Sequence, residues 1–224
     1  MDIAKLLDAL KNTLLMTLVS ALLAYIVGLP LGLLLYVTGK NGLVKNKLLN
    51  NFVGIIVNIL RSIPCLLLIV LLFPLSNALL KGYGSWTSII IPLFFASFPF
   101  VARMVEQSLQ EVDKGVIEAS KSLGASNFKI MFNVLLVEAR PSLISGLAVS
   151  LVSILGYTAF AYDIGAGGLI AYAYSIFNNN GFEINIEVWI VIAFIVLIVQ
   201  IIQELGITIS SKIDKRRKIS WKNY

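Results

Sequence analysis

Five long runs of apolar residues dominate the hydrophobic pattern of the chain, and short polar stretches separate them. Each run has about 20 or more residues with almost no charge inside it, which is the length that an α-helix needs to cross a bilayer. A helix satisfies its own backbone hydrogen bonds, as lipid requires. The pattern therefore predicts an all-α membrane protein with five transmembrane helices. The predicted spans are about Thr13–Thr38, Ser62–Leu80 (after an apolar lead-in from Leu48), Thr87–Val105, Pro141–Tyr162 and Val188–Ser210.

The charged residues that flank these runs indicate the orientation of the chain. One set of flanks holds 15 of the 18 Lys and Arg residues, with Arg61 and Arg103 among them, and the other set holds only three. Positive residues concentrate on the cytoplasmic side of membrane proteins. We therefore expect the N-terminus outside and the C-terminus inside. The basic tail at 211–224 then lies in the cytoplasm, where it either sets the topology and attracts anionic lipid or binds a specific partner.

The composition supports this interpretation and narrows the function. Hydrophobic residues make up 58% of the chain and charged residues only 13%, whereas soluble domains carry about 25% charged residues. The membrane flanks explain the net charge of +6, so that charge does not indicate a nucleic-acid partner. With no His and a single Cys, Cys65, an internal disulfide and a His- or Cys-rich metal site are excluded. We predict one membrane domain, residues 1–224, with its core at about 13–210.

The longest inner connection, at about 106–140, has the sequence of a folded unit rather than of a flexible linker. Asp113 can cap the start of a short helix, and Gly124 suits the left-handed residue that ends one. Ser126 can then open a second helix that runs to Val137. The first helix is amphipathic, so it either enters the groove of a partner or lies on the lipid surface. The residues that share its face are Val116, Ala119, Ser120 and Leu123.

The same loop carries a motif that resembles a known family. Glu118-Ala119-Ser120, with Gly124 six positions after the Glu, is similar to the EAA motif of ABC importer permeases. The resemblance extends along nearly the whole chain, through blocks such as Asn58-Ile59-Leu60-Arg61-Ser62-Ile63-Pro64 and Gly165-Ala166-Gly167-Gly168-Leu169. Together these blocks resemble the methionine branch of the family more than the wider polar-amino-acid branch. Two positions depart from the motif, because Ser120 replaces its second Ala and Val137 stands where Pro is usual.

The resemblance implies a fold, a set of partners and a role for the loop. The implied fold is that of the type I ABC importer permeases in the cytoplasmic membrane. The implied partners are a second copy of the chain, two copies of an ABC ATPase and an extracytoplasmic substrate-binding lipoprotein. The implied substrate is methionine, as the D-isomer, the L-isomer or both, and another amino acid or small ligand is the alternative. The residues implied to couple the permease to the ATPase are Glu118, Ala119, Ser120, Leu123, Gly124 and Ala125.

The chain lacks a Gly-x-x-x-x-Gly-Lys-Ser/Thr phosphate-binding loop. We therefore expect ATP and magnesium to bind the partner ATPase and this subunit to catalyse no reaction itself. An ion-coupled carrier or channel is the alternative from a different class, but such a carrier is expected to bury ionisable groups inside its spans. Asp163 and Glu204 lie near span ends instead. Five spans make an incomplete pathway, which favours a homodimer, and Gly28 and Gly32 allow close helix packing within one subunit or between two.

Two further regions are candidates for the transport pathway. Gly165, Gly167 and Gly168 permit unusual backbone angles in the outer connection at about 163–187. This connection is either a gate or docking surface, or a simple turn. Tyr157, near the end of the fourth predicted span, either contacts the substrate or packs in the core.

Overall fold

The computed structural model describes residues 2–214, so most of the predicted basic tail, from residue 215 onward, lies outside the described residues. Within that range the chain consists of helices and connecting turns, without β-strands. The α-helices are α1 Ile3–Thr38, α2 Lys47–Ser62, α3 Cys65–Leu80, α4 Ile90–Gln110, α5 Lys114–Ser122, α6 Asn127–Lys129, α7 Leu136–Glu138, α8 Arg140–Tyr157, α9 Leu169–Asn179 and α10 Ile186–Ile213. A 3-10 turn at Trp86–Ile89 precedes α4, another at Thr158–Ala161 follows α8, and a π-helical stretch at Ile130–Leu135 joins α6 to α7.

Among the described residues, four helices are each long and apolar enough to cross a membrane: α1, α4, α8 and α10, with the 3-10 turns included. The predicted second span, Ser62–Leu80, is different, because the chain bends by 98° between α2 and α3. Pro64 explains the bend, since proline lacks an amide hydrogen and disfavours helical geometry in the residue before it. Ile63 is accordingly extended, with φ −78° and ψ 123°. The described residues therefore contain four such helices, and a fifth span if α2 and α3 count as one broken crossing.

Other helix boundaries also differ from the predicted ones. Helix α1 begins at Ile3, well before the predicted start at Thr13, because the Asp2 carboxylate accepts hydrogen bonds from the first free amides of the helix. Helix α4 continues to Gln110 and so takes in the first residues assigned to the inner loop. The outer connection contains α9, a helix of 11 residues, so it is not a simple turn.

The centre of the fold is the contact between α1 and α4, and two glycines make it close. A Cβ added to Gly28 would lie 2.7 Å from Cγ1 of Val101, and Gly32 packs directly against Ala102 and Val105. Val101 and Ala102 are fully buried. Gly28 and Gly32 therefore serve helix packing within one subunit.

Helix α10 packs on one side only. Its Gly206 lies against Ala148 of α8, and the Ser210 hydroxyl donates a hydrogen bond of 2.7 Å to the Pro141 carbonyl. Most of the rest of its surface is apolar and exposed in the isolated chain, which suits contact with lipid. The exposed side chains on this surface include Phe194, Val196, Leu197, Ile201 and Leu205.

Candidate coupling site and transport cavity

Helix α5 has the two end structures that its sequence predicts. The Asp113 carboxylate accepts a hydrogen bond of 2.7 Å from the Gly115 amide at the start of the helix. At its end, Gly124 adopts φ +79°, and the amides of Gly124 and Ala125 donate to the carbonyls of Lys121 and Ser120. This pair of bonds is a Schellman motif. A Cβ on Gly124 would meet no atom within 4 Å, so the backbone conformation, not crowding, requires the glycine.

The exposed surface of α5 includes the face that the amphipathic pattern predicted to meet either a partner or lipid. Only Ile117 of this helix is buried, at 8% exposure, whereas Leu123 is 88% exposed. Ser120, the departure from the family motif, donates a hydrogen bond of 2.8 Å to the Val116 carbonyl, so its hydroxyl is satisfied within the helix. The structure thus places the six predicted coupling residues on one continuous segment, of which Glu118, Ala119, Leu123 and Gly124 are exposed.

The segment is attached to the C-terminal end of α4. Ile117 packs in one apolar cluster with Ile130 and Leu135, which follow in the next helix, and with Leu109 and Val112, at the end of α4 and just after it. Ile130, Leu135 and Leu109 are completely buried. This buried cluster joins α5 to α4 through side chains that pack at the density of a solid.

A polar contact ties α2 to α4 near the same end of the molecule. The Arg103 guanidinium donates hydrogen bonds to the Glu106 carboxylate at 2.6 Å, to the Asn58 side chain at 2.8 Å and to the Gly54 carbonyl at 3.2 Å. The Arg103 and Glu106 side chains are 21% and 14% exposed. The sequence analysis did not assign this pair a role, although opposite charges three residues apart on a helix are a recognisable signal.

The three candidate glycines come together in a shallow groove of about 580 Å³ between the start of α1 and α9. Gly165, Gly167 and Gly168 all have positive φ, from 70° to 102°. The hydroxyl of Thr13 in α1 accepts a buried hydrogen bond of 2.7 Å from the Leu169 amide, which follows these glycines. A Cβ on Gly168 would lie 2.9 Å from the Met16 methyl group, so the turn packs tightly on α1.

Tyr157 does not join that groove. It lines the bend cavity, a separate space of about 270 Å³ at the break between α2 and α3. Arg61, Cys65 and Phe100 line the same cavity. The sequence analysis counted Arg61 among the inner flanking charges and did not place it beside a cavity. Among the described residues, no three His, Cys, Asp or Glu side chains are grouped as metal ligands would be.

Comparison with known proteins agrees with this arrangement. Residues 28–209 match the family described as "Binding-protein-dependent transport system inner membrane component". The probable D-methionine transport system permease protein MetI of Vibrio cholerae is 38% identical over 213 residues, which are 94% of this chain and 93% of that protein. The methionine import system permease protein MetP of Bacillus subtilis is 43% identical over 185 residues, 82% of each chain.

Solved structures extend the similarity to three dimensions. A structure described as an inward-facing conformation of the MetNI methionine ABC transporter superposes with a TM-score of 0.88 at 36% identity, covering 94% of this chain and 96% of that one. An amino acid ABC transporter described with histidines shares the fold at a TM-score of 0.74, with 20% identity and coverage of 93% and 94%. The chain therefore belongs to the family of binding-protein-dependent transport system inner membrane components, the multi-pass permease subunits of ABC importers.

Proposed function

We propose that this chain is the permease subunit of an ABC importer that carries methionine across the cytoplasmic membrane. The observation that carries the proposal is α5, a capped helix whose apolar and small residues are exposed although the segment is anchored by Ile117. A cytoplasmic helix that is held rigidly and presents such a face suits the groove of a partner. The relatives named for methionine transport support the choice of substrate.

In this proposal two copies of the chain form the pathway, and two ATPase subunits bind the two α5 segments through Glu118, Ala119, Ser120, Leu123, Gly124 and Ala125. An extracytoplasmic binding protein delivers methionine to the outer face, where Gly165, Gly167 and Gly168 form part of a gate or docking surface. ATP binding closes the ATPase pair and displaces α5, and hydrolysis resets it. The permease supplies the binding geometry and the mechanical connection, while ATP and magnesium bind the partner.

The proposal includes five membrane crossings, with α2 and α3 as one broken span, the N-terminus outside and the C-terminus inside. Cysteine accessibility in vesicles tests the orientation. With Cys65→Ala as the background, a Glu118→Cys variant should react with a membrane-impermeant reagent only from the cytoplasmic side. Reaction from the exterior would place α5 where no ATPase can reach it and would contradict the proposed mechanism.

Uptake by proteoliposomes tests the function. Labelled methionine should accumulate only when the permease is reconstituted with its ATPase, the binding protein and ATP, and Gly124→Asp should insert normally but abolish uptake. Uptake by the chain alone, driven by an ion gradient, would favour the ion-coupled carrier instead. ATP-dependent uptake of another amino acid but not of methionine would keep the permease assignment and replace the substrate.

A further inference from the structure

A polar cavity of about 250 Å³ lies where four helices meet at one end of the bundle. Its lining includes Ser108 near the end of α4, Glu138 of α7, Ser142 near the start of α8, and Ser210 and Asp214 at the end of α10. Ser108 is buried and the other four residues are half-buried. The cavity is therefore a recess in the fold rather than an open patch of surface.

The charged side chains that line this recess, the acidic cavity, all carry carboxylates. Glu111, just after α4, joins Glu138 and Asp214, and none of the described lining residues is Lys or Arg. Like charges gathered in a recess favour an occupant of the opposite charge. Within the part of the chain that the structure describes, these carboxylates do not converge as the ligands of one metal ion would. They suit several basic side chains instead, each with its own carboxylate partner.

The basic tail of the chain begins at this cavity. Helix α10 ends at Ile213, and its C-cap residue, Asp214, is part of the cavity lining. The hydrogen bond from the Ser210 hydroxyl to the Pro141 carbonyl holds this end of α10 against the start of α8. Because a chain extends by at most about 3.6 Å per residue, the backbone of the next four residues lies within about 14 Å of Asp214. All four are basic: Lys215, Arg216, Arg217 and Lys218.

We propose that the basic tail, chiefly residues 215–218, docks in the acidic cavity of its own subunit. The tail neutralises the three carboxylates and joins the end of α10 to α7, which connects the α5 segment to α8. Since the tail is covalently attached beside the cavity, its effective concentration there is high. Anionic lipid and the ATPase are the competing partners for the tail, but neither has this attachment.

Disulfide formation in the full-length permease–ATPase complex, held in nanodiscs, tests the docking. In the Cys65→Ala background, Ser145→Cys places one thiol in the cavity lining, and Ser220→Cys places the other just after the four basic residues. Both changes leave every charge in place. Under mild oxidation we expect rapid formation of a disulfide within one chain. Salt at about 1 M should slow the reaction, because it screens the ion pairs that hold the tail.

Removal of the tail's charge should slow the same reaction. Arg216→Gln, Arg217→Gln and Lys218→Gln together should lower the initial rate at least about fivefold, since several weak ion pairs are lost at once. A matched control removes three lysines from the connection between α1 and α2 and the start of α2, outside the cavity lining, and should leave the rate unchanged. The control variant carries Lys40→Gln, Lys45→Gln and Lys47→Gln.

An exchange of charges distinguishes docking from a purely structural role of the acidic residues. Glu111→Lys with Glu138→Lys should slow the disulfide, and the milder Glu111→Gln with Glu138→Gln should slow it by a smaller factor. Adding Arg216→Glu and Arg217→Glu to the lysine pair should restore a faster rate, because opposite charges again face each other. Co-purification with the ATPase confirms that each variant is assembled. No recovery in the charge-exchanged variant would contradict the proposal.

Other outcomes would assign the tail elsewhere and overturn the docking. A disulfide that joins two chains would show that the tail reaches the second subunit. Equal rates for the parent and the glutamine variant in nanodiscs of zwitterionic lipid would leave the tail to anionic lipid. Protection of the Ser220→Cys thiol by the ATPase would assign the tail to that partner. The measurement involves no substrate, so each of these results leaves the proposed transport function standing.

Discussion

Ile117 and Leu123 should have different effects when each is changed to Ala. Ile117 of α5 faces the permease, whereas Leu123, which caps the end of α5, faces outward. Ile117 is 8% exposed and Leu123 is 88% exposed. Ile117→Ala removes three carbon atoms from a packed site, which costs roughly 2.4 kcal/mol at about 0.8 kcal/mol per buried carbon. The cavity left behind adds to this, which gives about 3–4 kcal/mol. Leu123→Ala leaves the permease itself almost unchanged, within about 0.5 kcal/mol.

The two effects are measured separately in nanodiscs. Amide hydrogen exchange of residues 114–138 reports the anchoring, and we expect Ile117→Ala to accelerate it while Leu123→Ala does not. Titration with the ATPase reports docking, and we expect Leu123→Ala to weaken the affinity at least about tenfold, as the loss of an interface anchor does. An unchanged ATPase affinity in Leu123→Ala would refute the docking role. Unchanged exchange in Ile117→Ala would refute the anchoring.

Three further substitutions test other parts of the structure. Gly124→Ala should cost about 1–2 kcal/mol of stability at the end of α5, because φ +79° is left-handed. Gly156→Ala is the control, since Gly156 is equally uncrowded but has no positive φ, and it should not cost this stability. Equal loss of ATP-coupled uptake in both variants would disprove the reasoning. Gly32→Val should reduce the yield of monodisperse permease, since its Cβ would overlap α4; normal yield would contradict that packing. Glu106→Gln should lower the free energy of unfolding by about 1.5–3 kcal/mol. Because Arg103 also bonds to Asn58 and to the Gly54 carbonyl, Arg103→Gln should be destabilising as well, and the double variant should lose less than the two single variants together; additive losses would show that the two residues do not stabilise each other.

Local signals in the sequence were sufficient where one residue determines one backbone feature. Asp113 predicted the start of α5, Gly124 its left-handed end and Ser126 the next cap, and the structure has all three. These predictions hold because a capping oxygen and a positive φ act within one helical turn. Long apolar runs also predicted α1, α4, α8 and α10, because a helix needs about 20 consecutive apolar residues to cross the hydrocarbon core of a bilayer.

The remaining features depend on packing that hydropathy does not describe. Averaged over a window, Lys47–Ser62 and Cys65–Leu80 are apolar on both sides of Pro64, so the bend of 98° has no signature in the average. Counting flanking charges assumes that each Arg lies at a membrane surface, and this assumption conceals the placement of Arg61 in the bend cavity. Periodicity located the exposed face of α5, but a single chain does not encode whether such a face meets its own core, lipid or another protein.

Helix α4 contacts both the α5 segment and the bend cavity. Its C-terminal end contributes Leu109 to the apolar cluster that holds α5, and its middle contributes Phe100 to the bend cavity. Between them, Arg103 bonds to α2, whose far end carries Arg61. We therefore expect a shift of α5 to reach the cavity along α4 and through α2, two routes that end at different walls of the same space. Because coupling between two sites is reciprocal, a ligand that draws those walls together is then expected to change how readily the ATPase displaces α5.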